Sequence, residues 1–150
     1  MQREGGLMAI PGKDFRGVVV PGRGFGAQRM ANPTVLQVVQ RLTALNLVPG
    51  TLNVRLPQPF DGTLPGYLTE DELGGNVWRD HAPHRQGVRW GEVIIAGRYQ
   101  GLVFQGDEPE YPPDQVELLS DRHLRDTLGL RDGDTLAFSL LAGTSEEKTR

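Results

Sequence analysis

Glycine and proline interrupt this chain so often that one stretch alone, 32-NPTVLQVVQRLTALNL-47, keeps the spacing of a helix several turns long. Asn32 can cap the free N–H groups at its start, and Pro33 suits the first helical position. Val35, Val38, Val39, Leu42 and Leu45 recur on one face, leaving Gln37, Gln40 and Arg41 to solvent. The rest comes in short apolar runs between turn residues, with 20 Gly and 11 Pro among 150 residues. That punctuation favours a turn-rich β protein over a helix bundle.

The runs 15-FRGVVV-20, 51-TLNVRL-56, 116-VELL-119 and 135-TLAFSL-140 read as strands, and 88-VRWGEVIIAG-97 with 100-QGLVF-104 reads as a hairpin. From 57 to 87 the pattern dissolves into a long loop or short irregular strands, with 67–69 paired. A short helix over 122–128 stops at Gly129, and Asp132-Gly133 turns into the last strand. Six or more strands with one long and one short helix predict a mainly β, compact barrel with helices over its openings. Hydrophobic content of 37% suits one core, giving a flexible arm over 1–14, a single barrel domain over 15–141 and a flexible tail over 142–150.

A net charge of −3 gives no strong attraction to nucleic acid or anionic lipid, so neither is an expected partner. The absence of cysteine excludes disulfides, thiolate metal sites and a cysteine nucleophile, and it fits a cytoplasmic protein. No run approaches the ~18 apolar residues of a membrane span. The opening MQREGGLMAIPGKD lacks the apolar stretch of a signal peptide.

Two stretches carry chemistry. In 22-GRGFGA-27, alternate glycines after a strand can turn successive N–H groups inward as an anion nest, with Arg23 and Arg29 adding positive charge. The spacing matches neither the dinucleotide fingerprint nor a P-loop, and a plain flexible turn reads equally well. On 51-TLNVRL-56, strict alternation places Leu52, Val54 and Leu56 on one face and Thr51, Asn53 and Arg55 on the other. Side chains two apart on a strand stand about 6.5–7 Å from each other, so Thr51 and Asn53 can share one small ligand. Their hard neutral oxygens suit Mg²⁺ that draws its charge partners from substrate phosphates; an ordinary solvated strand side is the alternative. Together, a glycine loop, an oxygen pair and arginines are the parts of a phosphoryl-transfer site.

Other clusters read as structural. His81 and His84 flank a proline in a solvated turn, and Ser120, Asp121 and His123 are too close in sequence for triad geometry. The acidic runs 70-EDE-72 and 107-DEPE-110 read as solvated loop surface, and Trp78 and Trp90 as core or pocket-wall aromatics.

In order, a GxGxG-type loop, a helix, PGTLNVRL, a hairpin, a YPP-x-x-VELL segment and LRDTLGLRDGDTL resemble the archaeal CTP-dependent riboflavin kinases from about Phe15 to Leu141. The resemblance implies a six-stranded cradle-loop (Greek-key-like) barrel that moves the γ-phosphate of CTP onto riboflavin, giving FMN and CDP. It implies that Gly22, Arg23, Gly24, Phe25, Gly26 and Ala27 bind nucleotide, together with Arg122, His123, Leu124 and Arg125. It assigns Mg²⁺ to Thr51 and Asn53 and flavin contact to Glu117. The mechanism these parts allow makes Glu117 and Asn53 the catalytic residues, Glu117 orienting the alcohol or accepting its proton and Asn53 holding the metal. Phe25 replaces a glutamate usual in the family, 117-ELLSD-121 replaces an EIIAP run, Pro109 stands for a flavin-contacting threonine, and 74–87 has no counterpart. These departures leave open another nucleoside triphosphate, another small alcohol, or a non-catalytic flavin- or nucleotide-binding module.

Overall fold

Short apolar runs between turns become strands, and seven of them form one antiparallel sheet in the computed structural model. The structure describes residues 11–21, 33–48, 51–73 and 82–141. The elements in order are β1 (Pro11–Val20), α1 (Pro33–Thr43), β2 (Leu52–Arg55), β3 (Gly66–Thr69), β4 (Gly87–Ile95), β5 (Tyr99–Gly106), β6 (Gln115–Ser120), α2 (Leu124–Leu128) and β7 (Thr135–Leu141). The sheet runs β3-β4-β5-β6-β2-β1-β7, and β7 pairs back onto β4. Six strands therefore close into a barrel. One edge of β4 is shared: Gly87–Trp90 pair with β3, while Val93–Ile95 pair with β7.

Closure creates an inside and an outside for every strand, and the two-residue period sorts side chains between them. Val54, Val93, Ile95, Val103, Val116, Leu118 and Phe138 fill the interior, each at most 1% exposed. Phe15 packs there with its ring centroid 5.3 Å from that of Phe138 and 4.8 Å from that of Phe60. Outside the barrel a second apolar cluster joins Leu102, Phe104 and Leu119 of the sheet to Val39 of α1, with Leu47, Leu68, Leu73, Ala82 and Val88. Covered on both faces, the run Leu102, Val103, Phe104 is buried throughout, which is why it shows no alternation in sequence.

Both helices are short, 11 and 5 residues, so the long helix expected to reach about Leu47 is corrected to one ending at Thr43. Thr43 Oγ1 donates to the Val39 carbonyl and accepts from the Leu45 N–H, taking over groups that another turn would need. Ala44 then turns to φ 61°, and its N–H donates to the Gln40 carbonyl, an αL helix end built without glycine. Asn32 lies outside the described residues. The second helix ends as expected, with Gly129 at φ 65°.

The first strand starts at Pro11 rather than Phe15, because Pro11 and Asp14 pair with Leu141 and Ser139 of β7. Residues 11–14 thus belong to the sheet and not to a loose arm. In the 57–87 region the expected pairing at 67–69 is real: Tyr67, Leu68 and Thr69 sit opposite Arg89, Val88 and Gly87. Among the described residues no helix is long and apolar enough to cross a membrane.

The β4–β5 hairpin turns through Ala96 at φ 55° and Gly97 at φ 68°. An alanine in the left-handed region is strained by its Cβ, and Ala96 is exposed. Ala96→Gly is expected to stabilise the fold by about 0.5–1 kcal/mol, less any gain in unfolded-chain entropy, as read from the urea midpoint. A lower midpoint would mean that the turn holds no such strain.

Candidate active site

A polar strip crosses the outer face of the barrel beside the cluster that α1 covers. Along one transverse row of partners stand Trp90, Phe104, Glu117, Asn53 and Val20, contributed by β4, β5, β6, β2 and β1. Cross-strand partners share a face, so Glu117 and Asn53 are immediate neighbours. The alternation expected for β2 holds, since Leu52 and Val54 are buried while Asn53 is half-buried and Arg55 exposed.

Glu117 is the centre of this strip. Thr51 Oγ1 donates to Glu117 Oε1 at 3.1 Å, and Tyr111 Oη donates to Glu117 Oε2 at 2.8 Å. Asn53 Oδ1 accepts from Gln115 Nε2 at 3.0 Å. Each carboxylate oxygen and the amide oxygen thereby keeps one lone pair for a ligand.

Behind Tyr111 lies a charged pair. Arg85 grips Glu108 with both ends of its fork, Nε to Oε1 at 2.7 Å and a terminal NH₂ to Oε2 at 2.8 Å. Glu108 is 5% exposed, and the guanidinium carbon sits 5.6 Å from the centre of the Tyr111 ring. Burial works against the charge of Arg85, but hydrogen bonding and attraction from Glu108, with Glu117 adding, hold its pKa above the ordinary value. Burial, then the charge of Glu117, pushes the Tyr111 phenol well above the usual range, so it stays a donor.

The residues fit a hard cation. Thr51 sends its proton to Glu117, which leaves its lone pairs for a metal, and Asn53 offers a neutral amide oxygen on the same strand face. Among the described residues no group of three His, Asp or Glu side chains could hold a metal by itself. A divalent ion here would therefore draw its remaining ligands from water and substrate phosphates.

Of the other residues singled out in the sequence, Gly22, Arg23, Gly24, Phe25, Gly26 and Ala27 lie outside the described residues, as do Arg29, Trp78 and His81. Arg122 stacks 5.1 Å from the Tyr99 ring centre, and His123 precedes α2 with Nδ1 3.1 Å from Asp126 Oδ2. Arg125 pairs with Asp132 at 2.7 Å. Leu124 is 6% exposed within the interior cluster. Ser120 Oγ donates to the Gln100 carbonyl, and His123 faces Asp126, so no triad forms from 120, 121 and 123. His84 Nδ1 meets Glu110 Oε2 at 2.6 Å on the surface. Trp90 packs against the outer apolar cluster, as a core or wall aromatic should.

The sequence reading missed Arg85, Glu108 and Tyr111. Reading 107-DEPE-110 as solvated surface is corrected at Glu108, which is buried, while Asp107 is only half-buried and accepts from the Gln86 and Gly87 N–H groups and from Tyr67 Oη. Its local signal is acidic, and its partner Arg85 lies 23 residues away. Tyr111 stands inside the quoted YPP segment, but spacing alone does not aim its hydroxyl at Glu117.

Comparison with known proteins bears on the same region. A family model for CTP-dependent riboflavin kinases, described as a domain of unknown function (DUF120), matches residues 19–140. The riboflavin kinase of Methanocella arvoryzae is 30% identical over 132 residues, covering 84% of this chain and 56% of that protein. The riboflavin kinase of Thermofilum pendens is 31% identical over 126 residues, covering 80% and 55%. The chain thus spans little more than half the length of these two curated relatives. The riboflavin kinase of Aeropyrum pernix is 30% identical over 132 residues, covering 85% of this chain and 95% of that protein. A match that runs from the end of β1 almost to the end of β7, with a relative of nearly equal extent, places this chain in the CTP-dependent riboflavin kinase family.

Proposed function

We propose that this protein transfers the γ-phosphate of CTP to a ribityl hydroxyl of riboflavin, giving FMN and CDP, on a cradle-loop barrel and with the cytoplasm as its setting. The observation that supports this reading most is the Glu117 carboxylate held between Thr51 and Tyr111 beside Asn53. The family resemblance assigns flavin contact to Glu117 and the metal to Thr51 and Asn53, which supports the reading.

In this reading Glu117 orients the acceptor hydroxyl through its remaining lone pairs and takes up its proton. The hydroxyl oxygen bonds to the γ-phosphorus as the bond to the β–γ bridging oxygen breaks, and CDP leaves with that electron pair. A loose phosphoryl transition state asks mostly for positioning and charge neutralisation, so orientation is the larger part of Glu117's role. Thr51 and Asn53 hold Mg²⁺, which when bound offsets charge on the nucleotide phosphates. The same reading gives the phosphates to residues 22–27 and further nucleotide contact to 122–125.

Incubating the purified protein with riboflavin, Mg²⁺ and CTP, ATP, GTP or UTP in turn tests this. FMN is expected with CTP and is expected to disappear when EDTA removes the metal. Riboflavin binding with no FMN from any triphosphate would identify a non-catalytic flavin module instead.

A further inference from the structure

We infer that Tyr111, set in place by the buried Arg85–Glu108 pair, is a positioning residue that fixes the Glu117 carboxylate for the acceptor hydroxyl; this rests on the kinase reading. A carboxylate on a strand has free rotation about its terminal torsion unless both oxygens are held. Here Thr51 holds one and Tyr111 the other, from opposite sides in sequence. Thr51 adjoins the strand paired with β6, whereas Tyr111 stands in the loop leading into β6. Two anchors on separate segments define one carboxylate plane and leave one lone pair per oxygen toward substrate.

The surroundings of Tyr111 are built around its placement. Its N–H donates to the Glu108 carbonyl at 3.1 Å, so the residue carrying the buried carboxylate also holds the tyrosine backbone. The Arg85 guanidinium lies against the ring while gripping that same carboxylate. A Cβ at Gly106 would strike both the Glu108 carboxylate and the Arg85 guanidinium, so glycine makes the space that the pair occupies. Buried ion pairs seldom stabilise a fold better than apolar residues of equal volume. A pair lodged under a loop, backing one phenol that donates to the site's only described strand carboxylate, serves orientation. Burial and the charge of Glu117 push the phenol's pKa up, which agrees with a hydroxyl kept as a donor.

Tyr111→Phe removes one oxygen and keeps the ring over Arg85. With wild-type FMN formation established, this variant is expected to lower kcat roughly tenfold to a hundredfold while the KM for nucleotide stays the same. In a Glu117→Ala background the same change is expected to cost nothing further, in kcat and in riboflavin affinity measured by flavin fluorescence. A purely structural tyrosine would show the same loss in both backgrounds, and that result overturns the inference. So does wild-type kcat in Tyr111→Phe, or a variant that does not fold, since the hydroxyl then serves the barrel. If the wild type itself forms no FMN, the kinase reading falls and this inference with it.

Discussion

Asn53→Ala is expected to lower FMN formation by on the order of a hundredfold or more while the barrel unfolds at nearly the wild-type urea concentration. The two halves of this result have separate causes. Asn53 is half-buried on the outer face, and its side chain exchanges one hydrogen bond with Gln115, so its loss removes about 1 kcal/mol of stability. Leu52 and Val54, which fill the interior from the same strand, are untouched. The amide oxygen, by contrast, is the neutral ligand assigned to Mg²⁺ and stands next to Glu117 in the cross-strand row. On the proposed mechanism, losing it would remove charge neutralisation where the transferred group develops negative charge, an effect felt in turnover and not in folding. Wild-type turnover in this variant would withdraw the metal from the strip; a large fall in stability would make Asn53 a structural residue.

Arg85→Ala should act the other way, on the fold first. Glu108 is 5% exposed and both its oxygens are held by Arg85, so the variant leaves a buried carboxylate without its partner. Breaking a buried pair on one side costs about 3–5 kcal/mol, against a total stability of about 5–15 kcal/mol for a typical domain. The urea midpoint should drop steeply. The double variant Arg85→Met/Glu108→Leu removes both charges at similar volume and is expected to recover most of that stability. Its turnover is expected to stay low, because Tyr111 then lacks the guanidinium against its ring. A single variant as stable as wild type would show that water reaches Glu108 and that the pair is not a buried support.

Local chemistry made much of this molecule readable. Alternation in 51-TLNVRL-56 places Leu52 and Val54 inside and Asn53 outside, and the structure agrees. The stop at Gly129 and the turn at Asp132-Gly133 were readable locally, because glycine's freedom at positive φ is a property of the residue itself. The helix end at Thr43 was not readable: Ala44 carries no turn signal, and it is Thr43's own hydroxyl that takes over the next turn's bonding. The strand start at Pro11 was hidden as well, since it exists through pairing with β7, more than a hundred residues along the chain.

Sequence alone thus determined the alternating strands, their turns and the polar face of β2, since each follows from the chirality and period of a short backbone segment. Tertiary structure alone decided that β7 returns to β4 to close the barrel, that Glu117 arrives beside Asn53, and that Arg85 finds Glu108 beneath Tyr111. Those contacts join residues far apart along the chain. Whether a charged or hydroxyl side chain is solvated or buried depends on which strands are neighbours, and no local spacing carries that information.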